Sequence, residues 1–250
     1  MSNQYSWLMS KDKMYINGVS SDTVGILVDT PPMPPMAEEI VETVHVIGRA
    51  DSSVYRTGMY NDITLTVKCY VFDYGRHPDA IYRYLKGAQT VGFGDDILYR
   101  VKNVTGITPS YSGNGKNLLT VNFVCSPFKY AANTAPVVYE LGDGEESRTI
   151  QVFNAGTVYA EPIYKLEKTI SPTVGVLTVN GVTVNVAATV DTNVYIDLSL
   201  MECYKIVSGN KVRVSAVFGQ WWDCILQPGY NEITFSGSES LEIVKNERFL

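Results

Sequence analysis

The chain has 250 residues, of which 45% are apolar and 18% are charged, a balance that belongs to a folded chain and excludes intrinsic disorder. Its formal net charge is −6 and it has no cluster of Lys and Arg, which argues against a nucleic-acid-binding surface. The N-terminal sequence MSNQYSWLMSKDK has no apolar core of signal-peptide length, so we expect synthesis in a cytoplasm.

The first predicted elements are strands joined by a turn and followed by a proline-rich connector. Residues 14–29 read as a strand, a turn at Asn17 and Gly18, and a second apolar run. Residues 31–35 (PPMPP) predict a rigid, extended connector, because proline disfavours both a helix and a central strand. Residues 39–47 (EIVETVHVI) alternate, but neither face is purely apolar. We therefore predict a strand that is exposed or faces a partner.

The strongest strand of the first half and its helix come next. Residues 62–72 (DITLTVKCYVF) alternate strictly, which predicts a strand with one buried face. Residues 76–89 (RHPDAIYRYLKGAQ) repeat apolar side chains every three and four positions, with a proline near the start, and so predict an amphipathic helix. Two hairpins follow, with turns expected at residues 92–96 and 113–115.

A change in composition near residue 140 predicts two domains, residues 1–135 and 136–250. Residues 131–148 show no sustained period, and we interpret them as the linker. The second half reads as short strands at the spacing of a β-sandwich, among them residues 211–217, 220–226 and 231–235.

One stretch of the second half, residues 169–190, carries no charge and is about long enough to span a bilayer. A proline and the pair Asn180 and Gly181 interrupt it, and its residues alternate as VLTVNGVTVNV. A β-hairpin is therefore favoured over a membrane span.

No arrangement of side chains in the sequence indicates catalysis, a metal site or a bound cofactor. The four cysteines lie far apart in strand-like contexts and are predicted to be buried thiols in a reducing compartment. The only histidines, His45 and His77, have no cysteine or nucleophile at a suitable spacing. The acidic run at 142–146 (GDGEE) lacks the alternating ligands of a calcium loop.

Two adjacent tryptophans, Trp221 and Trp222, raise the hypothesis of a glycan-stacking surface, because carbohydrate modules present aromatic faces on one sheet. Neighbouring side chains in a strand point to opposite faces, so at most one of the two could line a groove. The alternative, which we favour, is that they have a structural role in or beside the core.

The order of motifs along nearly the whole chain resembles that of the distal tail proteins of siphophages. The segments that carry the resemblance are MYINGVSSDTVGILVD, VIGRADSSVY, DITLTVKCYVF with the helix after it, VNFVCSPFKY, FNAGTVYAEPIYKL, VNGVTVNV, VYIDL and LQPGYNEITF. The resemblance implies a mainly β chain: a tail-tube-like β domain with one helix, then a galectin-like or carbohydrate-module-like β-sandwich. Galectin sugar sites use a histidine, which the second half lacks, so the sandwich need not bind sugar.

The resemblance also implies a role and partners. The role is a structural virion protein at the tail tip: a homohexameric hub that joins the tail tube to the tip or baseplate and supports host attachment. The implied partners are other copies of the chain, the tail-tube protein and a tail-tip or tail-associated protein. A receptor-binding protein or a cell-wall glycan is a further candidate. The alternative is a carbohydrate-binding adhesion module that stays monomeric.

A closed ring needs a heterologous interface, in which one copy offers an element that a different surface of the next copy accepts. We predict that residues 39–60 extend as a hairpin arm. Val44, Val46 and Ile47 would be buried only on assembly, with Arg49 in the turn. The alternative is an ordinary surface hairpin folded back on its own sheet.

Overall fold

The computed structural model describes residues 13–45, 47–71, 78–94, 96–111, 117–132, 134–168, 173–190 and 193–250. The chain divides into two compact units, Met1–Ala132 together with Leu250, and Asn133–Phe249. Strands dominate both units, and within the described ranges one α-helix is present. The predicted mainly β fold with a single helix is confirmed.

The first unit consists of one antiparallel sheet, one helix and a separate hairpin. Its elements are β1 (Tyr15–Ile16), β2 (Val19–Ser20), β3 (Ile26–Thr30), β4 (Glu39–Val44), β5 (Ser53–Tyr60), β6 (Ile63–Val71), α1 (Pro78–Lys86), β7 (Thr90–Gly92), β8 (Ile97–Tyr111) and β9 (Asn117–Ala131). The large sheet has the order β2-β1-β7-β8-β9-β6-β3, and β4 pairs with β5 in a sheet of its own.

The core of the first unit lies between the large sheet and α1. Ile81 and Leu85, one helical turn apart, are buried and belong to the same cluster as Leu65 and Val67 of β6. The alternate residues of β6, such as Thr66, face solvent. The strand with one buried face and the amphipathic helix that the sequence predicted are therefore both present.

The second unit consists of two antiparallel sheets. Their strands are β10 (Val137–Glu140), β11 (Ser147–Asn154), β12 (Ile163–Glu167), β13 (Gly175–Val179), β14 (Val182–Val186), β15 (Val194–Asp197), β16 (Glu202–Val207), β17 (Asn210–Arg213), β18 (Val217–Gly219), β19 (Gly229–Ser236) and β20 (Ser240–Val244). A further short strand, β21 (Arg248–Phe249), belongs to neither of these two sheets. The sheets have the orders β10-β20-β12-β15-β16-β17 and β11-β19-β13-β14-β18. Both contribute to one apolar cluster, with Tyr164 and Leu166 from the first and Leu177 and Phe235 from the second.

Three sequence interpretations of the second half are wrong. The proposed linker contains β10, whose residues pair with β20 from Val137 opposite Ile243 to Glu140 opposite Ser240. This partner lies about a hundred residues away in the sequence, so the local sequence pattern does not predict the pairing. The predicted strand at 211–217 is two strands in different sheets, because β17 pairs with β16 and β18 pairs with β14.

The prediction of a strand at residues 220–226 is also wrong. Gly219 has φ +106, and a Cβ there would lie 2.6 Å from the Thr183 carbonyl oxygen, so the chain leaves β18 in a conformation reserved for glycine. A 3₁₀ turn at Trp221–Asp223 follows, closed by the Asp223 N–H donating to Gln220 O and the Cys224 N–H donating to Trp221 O.

The hairpin expected within residues 169–190 is confirmed as β13–β14. Its two-residue loop, Asn180 and Gly181, has φ of 48° and 87°, as a tight hairpin turn of positive φ requires. Within the part of the chain that the structure describes, no helix is long and apolar enough to cross a membrane.

Candidate functional site

The β4–β5 hairpin is the exposed element of the first unit, and we call residues 39–60 the arm. Its strands pair antiparallel, with Val44 opposite Ser53 at the outer end. The base is fixed by the Asn61 N–H donating to Glu38 O at 2.9 Å and by an edge-to-face contact of Tyr60 with Phe128 of β9, ring centroids 5.5 Å apart. These two contacts tie the base of the arm to the body.

An irregularity between Glu39 and Val41 sets the register of the arm. The Thr57 hydroxyl donates to Ile40 O at 2.6 Å there, and Gly58 takes φ 71°, which favours glycine. Arg56 and Glu39 form an ion pair of 2.5 Å across the two strands. The arm is therefore a defined hairpin, although no other strand pairs with it among the described residues.

Apolar side chains lie on both faces of the arm and remain exposed. Directly opposed residues share a face, so Thr43 and Val54 lie on one side while Glu42 and Tyr55 lie on the other. The large exposed apolar side chains of the arm are Val41, Val44, Ile47, Val54, Tyr55 and Met59. An isolated two-stranded hairpin is at best marginally stable in water, and large exposed apolar patches are typical of interaction surfaces.

The four residues predicted for the interface belong to this arm. Val44 is 50% exposed and Ile47, in the turn, is fully exposed. Arg49 is exposed, and its Nη1 donates to Ser53 Oγ at 3.4 Å. Val46 lies outside the described residues. Sequence reasoning did not single out Val54, Tyr55 and Met59 of β5, although their apolar character was a signal.

A second feature of the first unit is an apolar cavity of about 320 Å³, which we call the proline pocket. Its lining includes Pro31, Pro34, Phe93, Ile97, Tyr99 and Lys129. These residues come from the connector before the arm, from the β7–β8 hairpin and from β9, so only the tertiary structure brings them together. The sequence predicted the stiffness of the connector and not the pocket.

The two tryptophans lie side by side on the 3₁₀ turn of the second unit. Their ring centroids are 5.8 Å apart with an interplanar angle of 73°. Trp221 packs against the core, whereas Trp222 is 46% exposed. Phe153 and Tyr230 form another exposed aromatic pair, on neighbouring strands, with centroids 5.0 Å apart. The glycan-facing role of the tryptophans stays a prediction.

The titratable groups of the described residues show no catalytic arrangement. All four cysteines are buried and unpaired, as predicted. Burial raises the pKa of Cys69, Cys125 and Cys224 to about 12 and that of Cys203 to about 11, so their thiolates are scarce at neutral pH. No group of three His, Cys, Asp or Glu side chains suited to a metal ion occurs in the ranges that the structure describes.

Comparison of this chain with known proteins gives matches at the level of structure. No protein-family model matches the sequence, and no curated protein matches it. The crystal structure of the SPP1 Dit (gp 19.1) protein, described as a paradigm of hub adsorption apparatus in Gram-positive infecting phages, matches with a TM-score of 0.66. The sequences are 17% identical, and the match covers 95% of this chain and 99% of SPP1 Dit. This chain has the SPP1 Dit fold.

The resemblance to siphophage distal tail proteins is thereby confirmed at the level of the fold, and it extends over both units because the match to SPP1 Dit spans nearly the whole chain. A weaker match is to the structure of the phage p2 baseplate in its activated conformation with Sr, at 8% identity and a TM-score of 0.49. It covers 92% of this chain and 96% of the other, and it is too distant to establish a common fold.

Proposed function

We propose that this protein is a non-enzymatic structural component of a phage tail tip. Six copies would form a hub that joins the tail tube to the tip or baseplate and supports host attachment. The shared fold with SPP1 Dit over both units supports this proposal, because that protein is described as a hub of the adsorption apparatus. The protein would be made in the host cytoplasm and act in the virion, with tail-tube and tail-tip proteins as neighbours.

The observation that carries the proposal is the arm. It is a hairpin that is exposed on both faces and, among its described residues, bears six large exposed apolar side chains. Burying a Val or Ile side chain contributes about 1.5–3 kcal/mol, so an arm lying against a neighbouring copy would stabilise a ring substantially. A domain of residues 1–135 would form the ring, and a galectin-like domain of residues 136–250 would carry contacts to receptor-binding proteins or glycans.

The test is the mass of the purified chain in solution. Light scattering after size exclusion should give about six times the chain mass of 27.7 kDa. The double variant Val44→Asp with Ile47→Asp should remain folded and become monomeric, since unpaired charges in a desolvated interface cost several kcal/mol. The matched control, Thr183→Asp with Asn185→Asp, adds the same two charges to the solvent-exposed face of β14 in the second unit and should keep the wild-type mass.

Three results would contradict the proposal in different ways. A monomeric wild-type chain at all concentrations would remove the self-assembling ring. A double variant that still forms hexamers would place the interface elsewhere than the arm. A double variant that unfolds, seen by circular dichroism, would show that these side chains belong to the core of the monomer.

The adhesion alternative has one observation in its favour, the exposed aromatic side chains Phe153, Trp222 and Tyr230 of the second unit. It expects a monomer that binds cell-wall polysaccharide and loses that binding in Trp222→Ala. Titration of the same purified sample with host cell-wall glycan distinguishes the two functions, since ring formation does not require Trp222.

A further inference from the structure

We infer that the proline pocket of one copy receives the Ile47 side chain of a neighbouring copy, an inference that rests on the proposed ring. The arm supplies the projecting element of a heterologous contact, and the proline pocket supplies a receiving surface on a different part of the same unit. When such a contact repeats around a rotation axis, it closes a ring in which no copy is left with an unfilled pocket or an unbound arm.

The apolar tip of the arm is not buried by any described part of its own copy. Ile47 is fully exposed in the turn, although isoleucine is among the residue types most often buried. The six residues of β4 rise about 3.3 Å each, so the strand spans about 20 Å between the base of the arm and its turn. Ile47 is fully exposed and no residue of the arm lines the proline pocket, so the pocket is not filled by the arm of its own copy.

The proline pocket has the size and the walls that an aliphatic side chain requires. Of its lining residues, Phe93 and Tyr99 are buried, while Pro31, Pro34 and Ile97 are half-buried. Apolar cavities of about 150 Å³ already hold a benzene molecule, so 320 Å³ is ample for the isoleucine side chain and neighbouring atoms. The proline rings hold their backbone at a fixed φ, so the pocket loses little conformational entropy when it is filled.

Charge favours the same occupant. Lys129 lines the proline pocket, is half-buried, and makes no ion pair among the described residues. Asp51 lies in the same turn as Ile47, and its carboxylate accepts only the N–H of the adjacent Ser52, 2.8 Å away, among the contacts of the described residues. The positive charge of Arg49 is directed back to the arm by its contact with Ser53. Asp51 of the incoming turn and Lys129 of the receiving copy are thus complementary.

Cysteine cross-linking tests the contact directly in the full chain. The variant Ile47→Cys with Ile97→Cys places one thiol at the tip and one at the pocket, while the four natural thiols are buried. A short bismaleimide should convert it into a ladder of covalent oligomers up to six chains on a denaturing gel. The matched control, Ile47→Cys with Glu202→Cys, puts the second thiol at an exposed position at the start of β16 in the second unit and should give no ladder.

The possible results separate this inference from the proposed function. Hexamers by light scattering together with a ladder in the Ile97 variant alone support both. Hexamers without a ladder overturn the proline pocket as acceptor and leave the ring proposal standing. A wild-type chain that never forms hexamers overturns both. Equal ladders in both variants indicate random collision and also count against the pocket.

A charge-reversal cycle provides a second measurement that does not depend on thiol geometry. Asp51→Lys and Lys129→Asp should each weaken assembly about ten-fold, by like-charge repulsion at the contact. The combined variant should recover most of the wild-type affinity, because it restores an opposite pair. Two losses that simply add in the combined variant would show that the residues do not meet.

Discussion

The arm and the β13–β14 hairpin are two antiparallel hairpins of the same chain with opposite environments. In the β13–β14 hairpin, Leu177, Val179, Val184 and Val186 form one face and are wholly buried. In the arm, apolar and polar residues mix on both faces, and its large apolar side chains remain exposed. A hairpin with one uniform apolar face is buried by its own unit, whereas the arm, which lacks such a face, keeps its apolar side chains exposed.

The largest expected difference between the two hairpins is in amide hydrogen exchange. In the monomeric Val44→Asp/Ile47→Asp variant, amides of the arm should exchange with little protection, since opening it exposes no core. Amides of β13 and β14 should open only with global unfolding, at about 5–15 kcal/mol. Mass spectrometry of peptides covering residues 39–60 and 175–186 measures both. Similar protection of the two hairpins would mean that the arm is stabilised within a single copy.

A matched pair of valine substitutions should show the next largest difference. Val184→Ala removes two methyl groups from a fully buried side chain and should lower the free energy of unfolding by about 2–3 kcal/mol. Val54→Ala makes the same chemical change in the arm, where the side chain is 60% exposed, and should cost less than about 0.5 kcal/mol in the monomer. Urea denaturation checks both, and equal costs would contradict the assignment of the arm as exposed.

The smallest expected difference concerns two glycines in nearly identical conformations. Gly181 and Gly48 have φ of +87 and +88, and a Cβ at either position would meet no atom within 4 Å. Alanine should therefore add the same local strain, about 1–2 kcal/mol. Gly181→Ala should lower the Tm, because its turn is part of a buried hairpin. Gly48→Ala should leave the Tm of the monomer unchanged, because the arm opens separately from the body. A Tm loss in both variants would show that the arm unfolds together with the core.

The aromatic segment around Trp221 shows where sequence reasoning reached its limit. Its composition favours a strand by propensity, and the residues form a 3₁₀ turn instead. The cause lies outside the segment. A Cβ at position 219 would lie 2.6 Å from the Thr183 carbonyl oxygen, so the chain can turn there only because the residue is glycine. The buried Cys224 and Leu226 then anchor the chain after the turn. Contacts with residues far away in the sequence overrode the local preference.

The sequence by itself determined the elements whose patterns are local. Strict alternation identified β6, a three-four spacing identified α1, and Asn180 with Gly181 identified the β13–β14 turn, because each depends on residues only a few positions apart. The mixed faces of residues 39–47 indicated an exposed strand for the same reason. The tertiary structure alone decided that β10 pairs with β20 and that prolines of the connector meet Phe93 and Lys129 in one pocket. These contacts join segments that are far apart in the chain, and their free energy depends on complementary shapes that no single segment contains.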